Sequence, residues 1–354
     1  MLEELTLYSA VALKNLLPDA DLALWDLAQQ VSGWGRIQCI YRLKDSALPE
    51  VRHWLLHGGH RNEVMTEEVA YIAATAGGLR AALDTEPDEE ILDHAGELLA
   101  ALASGGPAED MTSYSDGEAA LAAYLTRMAT AAASLERAGH LYSLDGYLHR
   151  WASDNPLLSP AALPQLRTQI EQVLAEPRWQ GAVQAGLASA DLREVRKGIA
   201  IARRFDLDPI PVTGAWITRE PHDGYLWQTL VSAASRDEMA TLIQLAETLL
   251  PLAALPAGPA RDLGTGADYR ANHCFELILQ RLKDFPGLGR SAVAIGLDAR
   301  VTPTRHMALR VLAEWPRDTW PDGTVETVQA MAWRDPDNGV KKQARAILDG
   351  RALD

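Results

Sequence analysis

From end to end this chain spaces its apolar residues three and four apart, and almost no segment alternates apolar with polar residues over the length of a strand. A sheet needs a period of two to send one face to a core. A chain that lacks that period and repeats the helical one is confined to an all-α fold. In "PDEEILDHAGELLAALASGG", Pro87 sits near the first turn with acids after it. Ile91, Ala95, Leu98 and Leu102 form one stripe, and Gly105-Gly106 end it. In "SRDEMATLIQLAETLLPL" the expected stripe is Met239, Leu242, Leu245 and Leu249. In "DADLALWDLAQQVSGWG", Asp19 is expected to cap a helix whose apolar side is Leu22, Trp25, Ala28 and Val31. Gly33 and Gly35 are expected to stop it. Two stretches read as longer loops, at 104–117 and 255–268. Each is a candidate seam within one helical domain spanning 1–354.

The helices carry an internal echo. "TREPHDGYLWQ" and "WRDPDNGVKKQ" share the skeleton Arg, acid, Pro, polar, Asp or Asn, Gly. Elsewhere an acid precedes a basic residue by five to seven positions, ahead of an apolar helix. The pairs are Asp45 and Arg52, Asp191 and Arg196, Asp298 and Arg305, and Asp335 and Lys341. This pattern resembles the HEAT repeat, and more broadly the HEAT and armadillo class. The resemblance implies a right-handed α-solenoid of stacked antiparallel helix pairs, with those acids and bases forming a ladder between repeats. The segments "SGWGRIQCIYRLKD", "HWLLHGGHRNEVM" and "YRANHC" are further similar to a group of bacterial helical-repeat proteins. Some of that group carry a limonene hydroxylase label. A hydroxylase needs a redox cofactor, and no flavin or nicotinamide fingerprint stands in the sequence. Cys39 and Cys274 each sit in a helical pattern, where a small buried hydrophobe is the commoner role.

Charge narrows the partner. The formal net charge is −15, a balance that repels phosphate backbones. Nucleic acid is not the expected partner, so a HEAT-like nucleic-acid-processing protein is the weaker reading. Two cysteines in 354 residues fit a reducing compartment. No apolar run reaches ~18 residues, the length a spanning helix needs, and the first residues do not read as a secretory leader. The expectation is a cytoplasmic, non-enzymatic scaffold without cofactor. It would bind a protein or peptide that carries a basic or mixed patch.

Three clusters combine flexible turns with Arg, His and aromatic residues, the composition of recognition surfaces. They are Trp34 and Arg36; His57, His60, Arg61 and Asn62; and Tyr269, Arg270 and His273. The second cluster carries the alternative. His53, His57, His60 and Glu63 hold the residue types of a two-His, one-carboxylate iron site, so an oxygenase-like metal enzyme would use His57, His60 and Glu63. Against it, Gly58-Gly59 breaks the helix between the histidines. The stretch "DLGTGADYRANHC" imitates the acid and Gly-x-Gly of an S-adenosylmethionine loop. The two prolines in "LPAGPAR" before it rule out the strand such a loop must follow. It is expected to be a surface loop entering a helix near Asp268 or Tyr269, capped by Asp268. Phe275, Ile278, Leu279 and Leu282 would be buried. Alanine at Gly264 or Gly266 would cost on the order of 1 kcal/mol unless φ is positive.

Overall fold

The computed structural model describes residues 3–85 and 87–353. Those residues are helical or irregular, with a single isolated bridge between Asp262 and Val301 and no strand, so the fold is all-α. Among them no helix is long and apolar enough to cross a membrane. The chain divides into two compact units, Met1–Asp208 and Pro209–Asp354, and neither long loop forms the boundary.

In the first unit the helices are α1 (Glu3–Leu16), α2 (Ala20–Gln30), α3 (Gly33–Leu43), α4 (Pro49–Trp54), α5 (Glu67–Ala76) and α6 (Leu79–Asp84). They continue with α7 (Glu89–Ser104), α8 (Gly117–Met128), α9 (Leu135–Arg150), α10 (Ala162–Leu174), α11 (Pro177–Leu187) and α12 (Leu192–Ile201). The odd-numbered helices pack in a row, α1 on α3, α3 on α5, α5 on α7, α7 on α9 and α9 on α11, while α6, α8 and α10 pack beside one another. The second unit holds α13 (Ile210–Ile217), α14 (Gly224–Ala233), α15 (Arg236–Leu249), α16 (Arg270–Leu282), α17 (Arg290–Leu297), α18 (Thr302–Glu314), α19 (Thr324–Arg334) and α20 (Asn338–Leu348). There α14, α16, α18 and α20 pack in sequence, and α17 and α19 lie against α18 and α20.

Local chemistry explains the elements. Asp88 Oδ1 accepts the Ile91 amide at 2.9 Å and opens α7, whose Ile91, Ala95, Leu98 and Leu102 are all buried as the periodicity predicts. Each leucine so placed contributes about 1.5–3 kcal/mol. Ser235 and Glu238 form a capping box at the start of α15. Asp223 and Asp337 cap α14 and α20, so both copies of the Arg-acid-Pro skeleton open a helix.

Other expectations are corrected. Gly33, with φ of 59°, opens α3 rather than ending α2, which stops at Gln30. The buried row of α2 is Ala20, Leu24 and Ala28, Leu22 is exposed, and Asp19 makes no side-chain cap. In α15 the buried residues are Met239, Ile243 and Ala246, a stripe rotated from the expected one, with Leu242, Leu245 and Leu249 at its margin. Trp179 and Trp227 are fully buried, whereas Trp151 is exposed.

The acid–base ladder is rewired. Arg305 does not take Asp298, and Asp335 does not take Lys341. Arg305 reaches Asp335 itself, with Nε and Nη2 donating to the two carboxylate oxygens at 2.8 and 3.0 Å. Arg52 donates to the Ala76 carbonyl instead of pairing with Asp45, and Asp191 caps α12.

Candidate functional site

Between α4 and α5 the chain makes a π-turn, Leu55–Gly59, in which Gly58 takes φ of 104°. Only glycine adopts that backbone readily, and the turn kinks the chain here. The turn withdraws His60 from the helix line and buries it completely. Its Nδ1 lies 3.0 Å from the Leu55 carbonyl. Its Nε2 lies 3.4 Å from Glu97 Oε2, out of line for a hydrogen bond, so the nitrogen is left without a partner.

Helix α7 brings the other two members. His94 and Glu97, three residues apart, share its face toward the π-turn. His94 is buried, and its Nδ1 also has no hydrogen-bond partner and sits 4.0 Å from Glu97 Oε2. Its Nε2 faces Glu90 Oε1 at 3.6 Å. The His60 and His94 rings stand edge-on, 5.4 Å apart between centres at 89°. Arg61 Nε donates to Glu97 Oε2 at 2.8 Å from the solvent side. Burial, helped by His60 and Arg61, lowers His94.

His60, His94 and Glu97 each point one ligand atom into a space in which all three atoms lie within 4.8 Å of one another. Two imidazole nitrogens and a carboxylate oxygen form a donor set for a divalent transition-metal ion. This corrects the expected triad. Glu63 is exposed and lies outside the group. His57 is held by the His53 carbonyl at 2.8 Å and stacks on the His53 ring. The readable sign of the missing pair was His-x-x-Glu in "HAGE", one turn of a helix that presents both side chains to one side.

The remaining candidates fall into two places. Asn62 Nδ2 donates to the Gly33 carbonyl at 3.0 Å, and Arg36 Nη1 donates to the Arg61 carbonyl at 3.1 Å. The Trp34–Arg36 and His57–Asn62 segments are therefore stitched together, with Trp34 and Arg61 exposed. Arg36 also holds the Ala28 and Val31 carbonyls at the end of α2, a structural clamp. Tyr269, Arg270 and His273 belong to the second unit. There Asp262 organises its own loop. Its carboxylate accepts the Gly264 amide at 3.0 Å and the Tyr269 hydroxyl at 2.8 Å, with Arg300 Nε at 3.2 Å. His273 Nε2 meets the Gly264 carbonyl at 2.8 Å, and Arg270 is exposed. Helix α16 begins at Arg270 with Tyr269, not Asp268, in the cap position, and Phe275, Ile278, Leu279 and Leu282 are buried as expected.

A solved crystal structure of an engineered protein is similar to this chain over 98% of both, at 16% identity and a TM-score of 0.43. A likeness at that level assigns neither a function nor a site. No family model and no curated protein matches the chain.

Proposed function

We propose that this chain is a HEAT-like helical-repeat scaffold, a right-handed α-solenoid that acts by binding a protein or peptide rather than by catalysis. The observation that carries the reading is the row packing of alternate helices within each unit. A helix pair that cannot bury its own apolar face stacks on the next, and such stacks build extended binding surfaces, the concave one above all. A second feature supports it. The first three helices pack on one another yet leave Leu5, Tyr8, Leu16, Leu17, Leu22 and Trp34 exposed, with Tyr8 at 70% and Trp34 at 43%. Exposed apolar side chains on such a stack suit a binding surface. Aromatic anchors of this kind carry most of the energy of a contact. With a net charge of −15, the partner fits best with a basic or mixed patch and is captured faster at low salt.

The test is affinity capture by the immobilised full chain at low and high salt, beside a variant carrying Tyr8→Ala and Trp34→Ala. The proposal expects a stoichiometric partner that weakens with salt and is lost with the variant, while helicity is unchanged. Equal capture by both proteins at all salt concentrations would refute it.

A further inference from the structure

Independently of any partner, the geometry points to a zinc-class divalent metal site built from His60, His94 and Glu97. The reasoning begins with hydrogen positions. His60 Nδ1 faces the Leu55 carbonyl at 3.0 Å, and a carbonyl oxygen only accepts. The proton of a neutral ring therefore sits on Nδ1, and Nε2 presents a bare lone pair. That lone pair faces Glu97 Oε2, which is also an acceptor, at 3.4 Å. His94 repeats the arrangement. Its Nδ1, which has no hydrogen-bond partner, turns toward the same Glu97 oxygen at 4.0 Å, while its Nε2 lies 3.6 Å from Glu90 Oε1. Two ring nitrogens without hydrogen-bond partners thus converge on one carboxylate oxygen, an arrangement that a cation between them would satisfy.

The outer partners match what metal-ligating histidines use. Each ring's far nitrogen is oriented by a carbonyl or carboxylate, and the near nitrogen is left for the ion. The spacing matches as well. For a tetrahedral ion with bonds of ~2.0–2.2 Å, ligand atoms lie roughly 3.3–3.5 Å apart and two imidazole centres about 5 Å apart. The His60–Glu97 pair is at 3.4 Å, the His94–Glu97 pair is at 4.0 Å and the ring centres are at 5.4 Å, so the His94 nitrogen must close inward as the ion binds. Calcium and magnesium prefer all-oxygen shells, whereas two nitrogens and one oxygen suit Zn2+. Three protein ligands leave the fourth position to water. Arg61, which holds Glu97 from outside, is exposed and is free to swing into solvent as the ion enters.

Tag-free full-length protein is stripped with chelator, exchanged into chelator-free buffer and titrated with Zn2+ by calorimetry, with Co2+ as a coloured probe. The expected result is saturation at one ion per chain and intense visible Co2+ bands of four-coordinate geometry. His94→Ala and the nearly isosteric Glu97→Gln should each weaken Zn2+ by more than about a hundredfold, beyond the roughly 10- to 100-fold that outer partners carry. Circular dichroism should show the helices intact in both. A His53→Asn, His57→Asn double variant should bind as wild type, and Arg61→Gln should bind at least as tightly. Absence of saturable Zn2+ binding by the wild type would overturn the site. Binding that survives Glu97→Gln and His94→Ala but vanishes in the His53, His57 variant would overturn it too.

Discussion

Replacing Asp335 by alanine should unfold the second unit far more readily than any surface substitution. Arg305 is 0% exposed and makes five hydrogen bonds. Two go to the Asp335 carboxylate, at 2.8 and 3.0 Å. Three go to the carbonyls of Ala299, Arg300 and Ala260, at 2.9, 2.7 and 2.9 Å. Removing the carboxylate leaves a buried guanidinium with dipoles but no counter-charge, which costs about 3–5 kcal/mol. It also frees the Asp337 amide, now held by Asp335 Oδ1 at 2.8 Å, for roughly 1 kcal/mol more. At about 2–4 °C per kcal/mol for a unit of this size, Tm should fall by roughly 10 °C or more. The assay is urea and thermal unfolding by circular dichroism, with Arg305→Leu and the Arg305→Leu, Asp335→Leu double variant alongside. The double variant should recover much of the loss, because apolar pairs of similar volume often replace buried ion pairs at little cost. A loss below about 1 kcal/mol for Asp335→Ala, or a double variant no better than the worse single one, would refute the reasoning.

Gly264→Ala should cost roughly 1–3 kcal/mol in chemical unfolding, above the plain expectation for the loop. Gly264 has φ of 65°, and a Cβ there would lie 2.6 Å from Val301 Cγ1. Phe275→Ala should cost about 3–5 kcal/mol by the same measurement, since its ring, carried on α16, is fully buried. Burial pushes the Cys39 thiol up to about 11 and the Cys274 thiol up to about 12. Both should therefore resist a thiol-specific chromogenic reagent near neutral pH while folded and react together once denatured.

How much of this was readable depended on the distance over which each decision is made. The α7 stripe and the Phe275 stripe were legible because a helix sixteen or thirteen residues long carries its own period, whatever it packs on. The seating of α2 and α15 was not. Their buried rows are chosen by neighbouring helices, and a rotation of less than a quarter turn leaves the local pattern almost unchanged. Gly33 read as a stop because glycine ends helices more often than it starts them, whereas here it follows extended Ser32 and opens α3. The Arg305 partner stands thirty residues away, beyond any local spacing rule. The histidine site was half visible. His60 stood out in "HGGHRN", but its companions wait on α7, and proximity in sequence pointed wrongly to Glu63.

The central proposal is that alternate helices stack in a repeating row within each unit to make a binding scaffold. Small-angle X-ray scattering on the monodisperse full chain tests it most directly. A compact globule of 354 residues has a radius of gyration of roughly 20 Å. The solenoid account predicts a clearly larger radius and a distance distribution with a long tail. A radius near 20 Å with a symmetric distance distribution would contradict it.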